Sequence, residues 1–182
     1  ASDVPTTVEA YRLFSKRFDY PLHIGVTEAG TVFSGTVKSS IGLGILLAEG
    51  IGDTLRVSIT GPPEEEVRVG WQILKSLGLR ERGPDFISCP TCGRVSIDVA
   101  GIACEVERRL SRMTIPLKVA IMGCAVNGPG EAREADVGVA GGRGEGLLFV
   151  RGEVVKKVKE KEIVAEVVRF AQRLARDGRR RR

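Results

Sequence analysis

Thr54-Leu55-Arg56-Val57-Ser58-Ile59, stopped by Gly61-Pro62-Pro63 and followed by a helical stretch from Glu64 to Leu77, is the passage that decides the fold. The first six residues predict a strand. Pro62 and Pro63 cannot continue a hydrogen-bonded ladder, but proline is well suited to the first turn of a helix. Glu64, Glu65 and Glu66 complement the positive end of the helix dipole, and Gly78 marks the stop. Upstream the same pair of elements recurs. Pro21-Leu22-His23-Ile24-Gly25-Val26 reads as a short buried strand, and Gly35 to Glu49 as a Gly-rich apolar helix ending at Gly50. Val4 to Phe18 has helical apolar spacing, with Asp3 as N-cap and Pro5 in the first turn. Strand, helix, strand, helix with short connections is the rhythm of a parallel α/β unit.

Arg80-Glu81-Arg82-Gly83-Pro84 interrupts that rhythm with charge and turn residues, which places a domain boundary between residues 82 and 83. Residues 83–182 read as a smaller α+β module. Phe86-Ile87-Ser88 leads into a cysteine pair, Val99 to Met113 is an amphipathic helix, and Leu117 to Met122 and Asp136 to Ala140 are strands. Gly141 to Gly146 predicts a hairpin turn or flexible loop before Leu147-Leu148-Phe149-Val150, and Lys161 to Arg176 a last helix.

Chemistry concentrates in Cys89-Pro90-Thr91-Cys92 and in Gly123-Cys124-Ala125-Val126-Asn127-Gly128-Pro129-Gly130-Glu131. Two Gly/Pro-shaped loops thus offer three thiolates and one carboxylate. Soft thiolates suit iron in a sulfide cluster, and two Cys separated by two residues can bind from one tight turn. Cys104 falls among apolar neighbours within a helix and is expected to be buried and structural. A zinc module using all four Cys would have to join that helix position to the loops and would leave the Asn-Gly-Pro-Gly-Glu segment without a purpose.

In the first segment, Glu28 follows the strand end at Val26, where parallel sheets build active sites, and its alternative is an exposed loop carboxylate. Arg56 and Ser58 lie two apart and share a strand face, a good pairing for a phosphate or for a barrel mouth. His23, the one histidine, reads first as a hydrogen-bonded core residue and second as a catalytic contact.

The net charge of +5 owes four positive charges to Arg179-Arg180-Arg181-Arg182, and no basic and aromatic interleaving accompanies them, so no nucleic-acid partner is expected. That tail reads as a solvated helix end. Neither a secretory leader nor an apolar run of about 18 residues is present, which predicts a cytoplasmic chain without a membrane partner.

The motifs His23 to Gly30, Ser39 to Gly44, Glu49 to Ser58, Cys89 to Cys92 and Cys124 to Glu131 together resemble the 4-hydroxy-3-methylbut-2-enyl diphosphate synthase family, from Ala1 to about Gly142. The resemblance implies a TIM (β/α)8 barrel followed by an iron-sulfur domain, with residues 1–82 as the last part of the barrel. The family's first barrel half, and the Lys that precedes its Ala-Ser-Asp, are not among these 182 residues. It further implies a [4Fe-4S] cluster held by Cys89, Cys92, Cys124 and Glu131, the carboxylate being the harder and more exchangeable ligand. By the same resemblance Arg56 and Ser58 bind the diphosphate of a cyclic diphosphate substrate, Glu28 is a candidate proton donor, and Asn127 stands beside the cluster to bond substrate or orient Glu131. Ferredoxin or flavodoxin as electron donor and a homodimeric full-length enzyme are implied too. An electron-transfer or cluster-carrier module without catalysis is the alternative, which four Cys ligands would favour more than three Cys and a Glu.

Overall fold

The computed structural model describes residues 1–126 and 128–179, with backbone alone at residue 179. The chain divides into two compact units, Ala1–Glu81 and Arg82–Arg182.

In the first unit, α1 (Val4–Arg17) starts where expected: Asp3 caps it by accepting from the Thr6 N–H at 2.9 Å. Strand β1 (His23–Ile24) pairs in parallel with β2 (Thr54–Leu55), and helix α2 (Val32–Ala48) makes the crossover between them. Both strands are only two residues long, shorter than the six-residue runs suggested. Beyond Leu55 the chain stays extended, and the pairing returns as a single parallel bridge, Thr31 to Thr60. Helix α3 (Pro63–Ser76) then opens on its proline and its three glutamates. Val8, Ile24, Leu43, Leu46, Val57, Ile59, Val69 and Ile73 form the core between the strands and the helices.

His23 departs from expectation. Its ring is exposed and its Nδ1 lies 2.8 Å from Thr54 Oγ1, because His23 and Ile24 point to opposite faces and Ile24 takes the buried one.

The second unit is a five-stranded sheet in the order β3 (Pro84–Ser88), β4 (Leu117–Met122), β5 (Val137–Gly142), β6 (Glu145–Val150), β7 (Glu153–Lys159). The first three strands are parallel and the last three antiparallel. Helices α4 (Val99–Leu110) and α6 (Ile163–Arg179) cover one face with Ile102, Val106, Val167 and Ala171 against Val119, Ile121, Val139 and Leu148. The short helix α5 (Gly128–Glu134) covers the other, Ala132 meeting Ala140 and Phe149. Helices thus interleave with the parallel strands and lie on both faces, so this unit is α/β with an antiparallel extension more than a segregated α+β module.

Gly141 and Gly142 belong to β5, leaving Arg143-Gly144 as the hairpin turn. Strand β7 is an addition to the sequence reading. Its Val154, Val155, Lys156, Lys157 and Lys159 are all exposed and Val158 alone is buried, so the alternation that announces a strand is absent. Of the four-arginine tail, Arg179 ends α6 and residues 180–182 lie outside the described residues. No described helix is long and apolar enough to cross a membrane.

Candidate functional site

Within the first unit, Glu28, Arg56 and Ser58 are brought together. They line one side of a cleft of about 370 Å³ with Thr27, Gly30 and Glu66. Alternation along the extended chain sends Val57 and Ile59 into the core and leaves Arg56 exposed and Ser58 half-buried beside the cleft. Arg56 Nη2 donates to Thr27 Oγ1 at 3.1 Å, which holds the guanidinium against the loop that carries Glu28. Gly25 makes room for this: a Cβ there would stand 2.9 Å from the Arg56 carbonyl oxygen. Glu28 itself is exposed and has φ of +53°, a conformation that costs a non-glycine residue about 1 to 3 kcal/mol and clusters at functional sites. The loop is tied at both ends, Thr27 N–H donating to Ala1 O at 3.0 Å and Thr60 N–H to Gly30 O at 2.8 Å. His23 stands at the opposite, N-terminal end of β1 and takes no part in the cleft.

The second unit presents its thiols where the parallel strands end. Cys89 directly follows β3, and its Sγ accepts a hydrogen bond from the Gly123 N–H at 3.1 Å. Ser96 N–H donates to Gly123 O at 2.8 Å, so the loop after β3 is stitched to the loop after β4. Cys92 is exposed, and its thiol is held below the ordinary thiol range chiefly by the Arg94 backbone N–H; burial and the nearby Cys124 oppose this. Cys124 is buried. The Cys89 sulfur thus has a backbone N–H donor, the kind of environment that stabilises thiolate and tunes iron-sulfur centres.

The stretch after Cys124 is a correction. Gly128–Glu134 is helical, and Glu131 is exposed in its first turn. Pro129 fits such an opening turn, and burial of Ala132 against the sheet compensates for the glycines. Asn127 lies outside the described residues.

Cys104 is the other correction, being exposed. Val99, Ile102, Val106 and Leu110 define the buried stripe of α4, and a residue two positions from both Ile102 and Val106 falls on the far side of the helix. Among the described residues no three His, Cys, Asp or Glu side chains come close enough to hold a single metal ion, and the four-cysteine zinc arrangement is not assembled. The three loop thiols, with the Gly123 N–H donating to Cys89, nevertheless suit a thiolate-bound cluster, which is wider than one ion.

Residues 1–71 match the family model described as the GcpE TIM-barrel domain, and residues 85–173 the one described as the GcpE protein C-terminal domain. The chain belongs to the GcpE family. The likeness runs past Gly142, through β6, β7 and most of α6. A protein of Geobacter sulfurreducens named 4-hydroxy-3-methylbut-2-en-1-yl diphosphate synthase (flavodoxin) is 67% identical over 171 residues, 92% of this GcpE chain and 48% of the relative. Proteins of the same name are 62% identical in Clostridium acetobutylicum (93% of the chain, 48% of the relative) and 58% identical in Caldanaerobacter subterraneus (97% and 50%). The chain spans about half the length of the curated relatives it matches.

Proposed function

We propose that this chain is the C-terminal portion of a 4-hydroxy-3-methylbut-2-en-1-yl diphosphate synthase, an oxidoreductase of isoprenoid biosynthesis. The reaction opens the ring of 2-C-methyl-D-erythritol 2,4-cyclodiphosphate and yields 4-hydroxy-3-methylbut-2-enyl diphosphate; two electrons and two protons enter and one water leaves. The observation that carries this reading is the 67% identity over 171 residues, a length that spans both units, to a protein bearing that name.

Residues 1–82 are then the last part of a TIM barrel and residues 83–182 an iron-sulfur domain. Arg56 and Ser58, at the rim of the cleft, bind the diphosphate: guanidinium to phosphate oxygen is a charge-assisted bond, and the hydroxyl adds a donor on the same face. Glu28, held by its unusual backbone at the same rim, is the candidate proton donor to the departing oxygen. Cys89, Cys92, Cys124 and Glu131 are the residues that hold a [4Fe-4S] cluster, with Asn127 beside it. When bound, that group supplies electrons one at a time and Lewis acidity at an iron whose carboxylate ligand is exchangeable. The name shared by the relatives points to flavodoxin as the electron donor, and ferredoxin has the same one-electron chemistry. The setting is cytoplasmic, and the full-length enzyme is a homodimer.

An anaerobic assay of the full-length enzyme with the cyclic diphosphate and reduced flavodoxin tests this reading. Product formation is expected; an assembled cluster that passes electrons but converts none of the substrate would instead favour the carrier alternative.

A further inference from the structure

Glu66 entered the sequence reading only as one of three acidic residues suited to a helix start. The structure gives it a separate task. Arg56 N–H donates to Ile24 O at 2.9 Å and Thr60 N–H to Gly30 O at 2.8 Å, so these even-numbered amides face β1 and the loop that follows it. Alternation turns the Ile59 amide to the opposite flank. There Glu66, reaching back from the first turn of α3, accepts that N–H on Oε1 at 2.9 Å in a part-buried setting.

The Ile59 N–H belongs to the same rigid peptide plane as the Ser58 carbonyl, so this one bond sets the plane that follows Ser58. The other side of the plane is confined by α2. A Cβ on Gly35 would lie 3.0 Å from Ile59 Cγ1, 3.1 Å from Gly30 O and 3.4 Å from Ser58 O, so the helix backbone packs directly against the strand end and the Glu28 loop. The strand tip carrying Arg56 and Ser58 is thereby clamped between α2 and α3, and the clamp reaches Glu28 through the Thr60 to Gly30 bond.

We propose that Glu66 is a positioning residue for the anion-binding rim: its carboxylate takes up the Ile59 N–H and holds Ser58 and Arg56 in the orientation that receives a diphosphate. The inference rests on the diphosphate role proposed above for Arg56 and Ser58. A carboxylate is the fitting group for this work, because an acceptor that carries charge forms the stronger bond to a backbone amide, and its charge is spent on that amide and on the α3 dipole.

The test is made in the full-length enzyme with inorganic pyrophosphate as a non-reacting probe, measured by calorimetry, alongside KM and kcat for the cyclic diphosphate. Glu66→Ala is expected to weaken pyrophosphate binding and raise KM by about tenfold, with kcat within about twofold. Glu66→Gln, whose amide oxygen still accepts from Ile59, should recover most of the affinity and serves if the alanine variant folds poorly. Unchanged pyrophosphate affinity in both variants, or a fall in kcat at constant KM, would overturn the role of Glu66. Arg56→Ala separates the two readings: if it weakens pyrophosphate while both Glu66 variants do not, Glu66 alone is misassigned. If neither the Arg56 nor the Glu66 variants change pyrophosphate binding, the diphosphate reading falls and the Glu66 proposal with it.

Discussion

The two units hold their candidate chemistry by different means. Among the described residues, the second has a continuous sheet of five strands, helices on both faces, and a main core of 16 buried residues, so its thiol loops hang from a well-packed scaffold. The first has two paired strands of two residues each and a core of eight, and its cleft residues sit on extended backbone held by loop bonds. Its helices also keep apolar side chains in water: Leu13 and Phe14 on α1 with Phe18 just after it, and Phe33, Val37 and Ile41 on α2. Each fully buried side chain of that size contributes about 1.5 to 3 kcal/mol, so what is left uncovered is a large share of a domain's stability. On the proposed reading, a cluster would therefore be seated by the second unit alone, whereas a diphosphate rim would need further structure around the first.

The largest effect that would break this contrast lies in the thiols. In the full-length enzyme, Cys89→Ser, Cys92→Ser or Cys124→Ser should each strip or destabilise the cluster, read as lost iron and lost absorbance near about 400 nm. Cys104→Ser should leave both intact. Iron that depends on Cys104 would return the four-cysteine arrangement to consideration.

Next comes a packing change that connects scaffold to site. A Cβ on Gly138 of β5 would approach Ala132 O to 2.5 Å and Ala132 Cβ to 2.8 Å, so Gly138→Ala must push α5, which carries Glu131, off the sheet. A loss of about 1 to 3 kcal/mol in denaturant unfolding is expected, together with an altered cluster spectrum. Unaltered stability would mean that α5 is not held against the sheet as described.

In the first unit, Arg56→Ala should cost about 1.5 to 3 kcal/mol of substrate binding, the worth of a hydrogen bond to a charged group. Its Michaelis constant and turnover should change far more than its melting temperature, since Arg56 is exposed. A smaller effect of opposite sign is expected at Ser39, a fully buried hydroxyl whose oxygen has no hydrogen-bond partner. Ser39→Ala should leave stability unchanged or raise it by up to about 1 kcal/mol.

Much of this was legible from residue patterns where a side-chain period or a stop signal was strong. Leu117–Met122 is apolar enough to be a buried central strand, and Asp3 and Pro63 mark helix starts by their own chemistry. What escaped depended on contacts distant in sequence. Strand β7 exists through pairing with β6, and α5 through Ala132 against the sheet; neither has a local period. Arg56, Ser58 and Glu28 were singled out because strand ends and phosphate chemistry have sequence signals, and they line one cleft. Glu66 was not, since nothing in three consecutive glutamates says which one turns back to Ile59.

The smallest expected effect is a pH dependence in the second unit. Arg108 and Arg109 on α4 hold the Glu105 carboxyl down to about 2. A folded pKa below the unfolded one stabilises above the unfolded value and is lost as the carboxylate protonates. Wild type should therefore lose a slight advantage over Glu105→Gln as pH falls from about 4.5 toward 2, and a constant difference across that window would remove the pairing from solution.

The most direct test of the contrast between the units is anaerobic reconstitution of residues 1–182 with iron and sulfide, followed by analysis of bound iron and an assay on the cyclic diphosphate with a strong artificial reductant. The account predicts about four iron atoms per chain, as a [4Fe-4S] centre requires, with no turnover. A chain that binds no iron, or one that turns over substrate at the rate of the full-length enzyme, would contradict it.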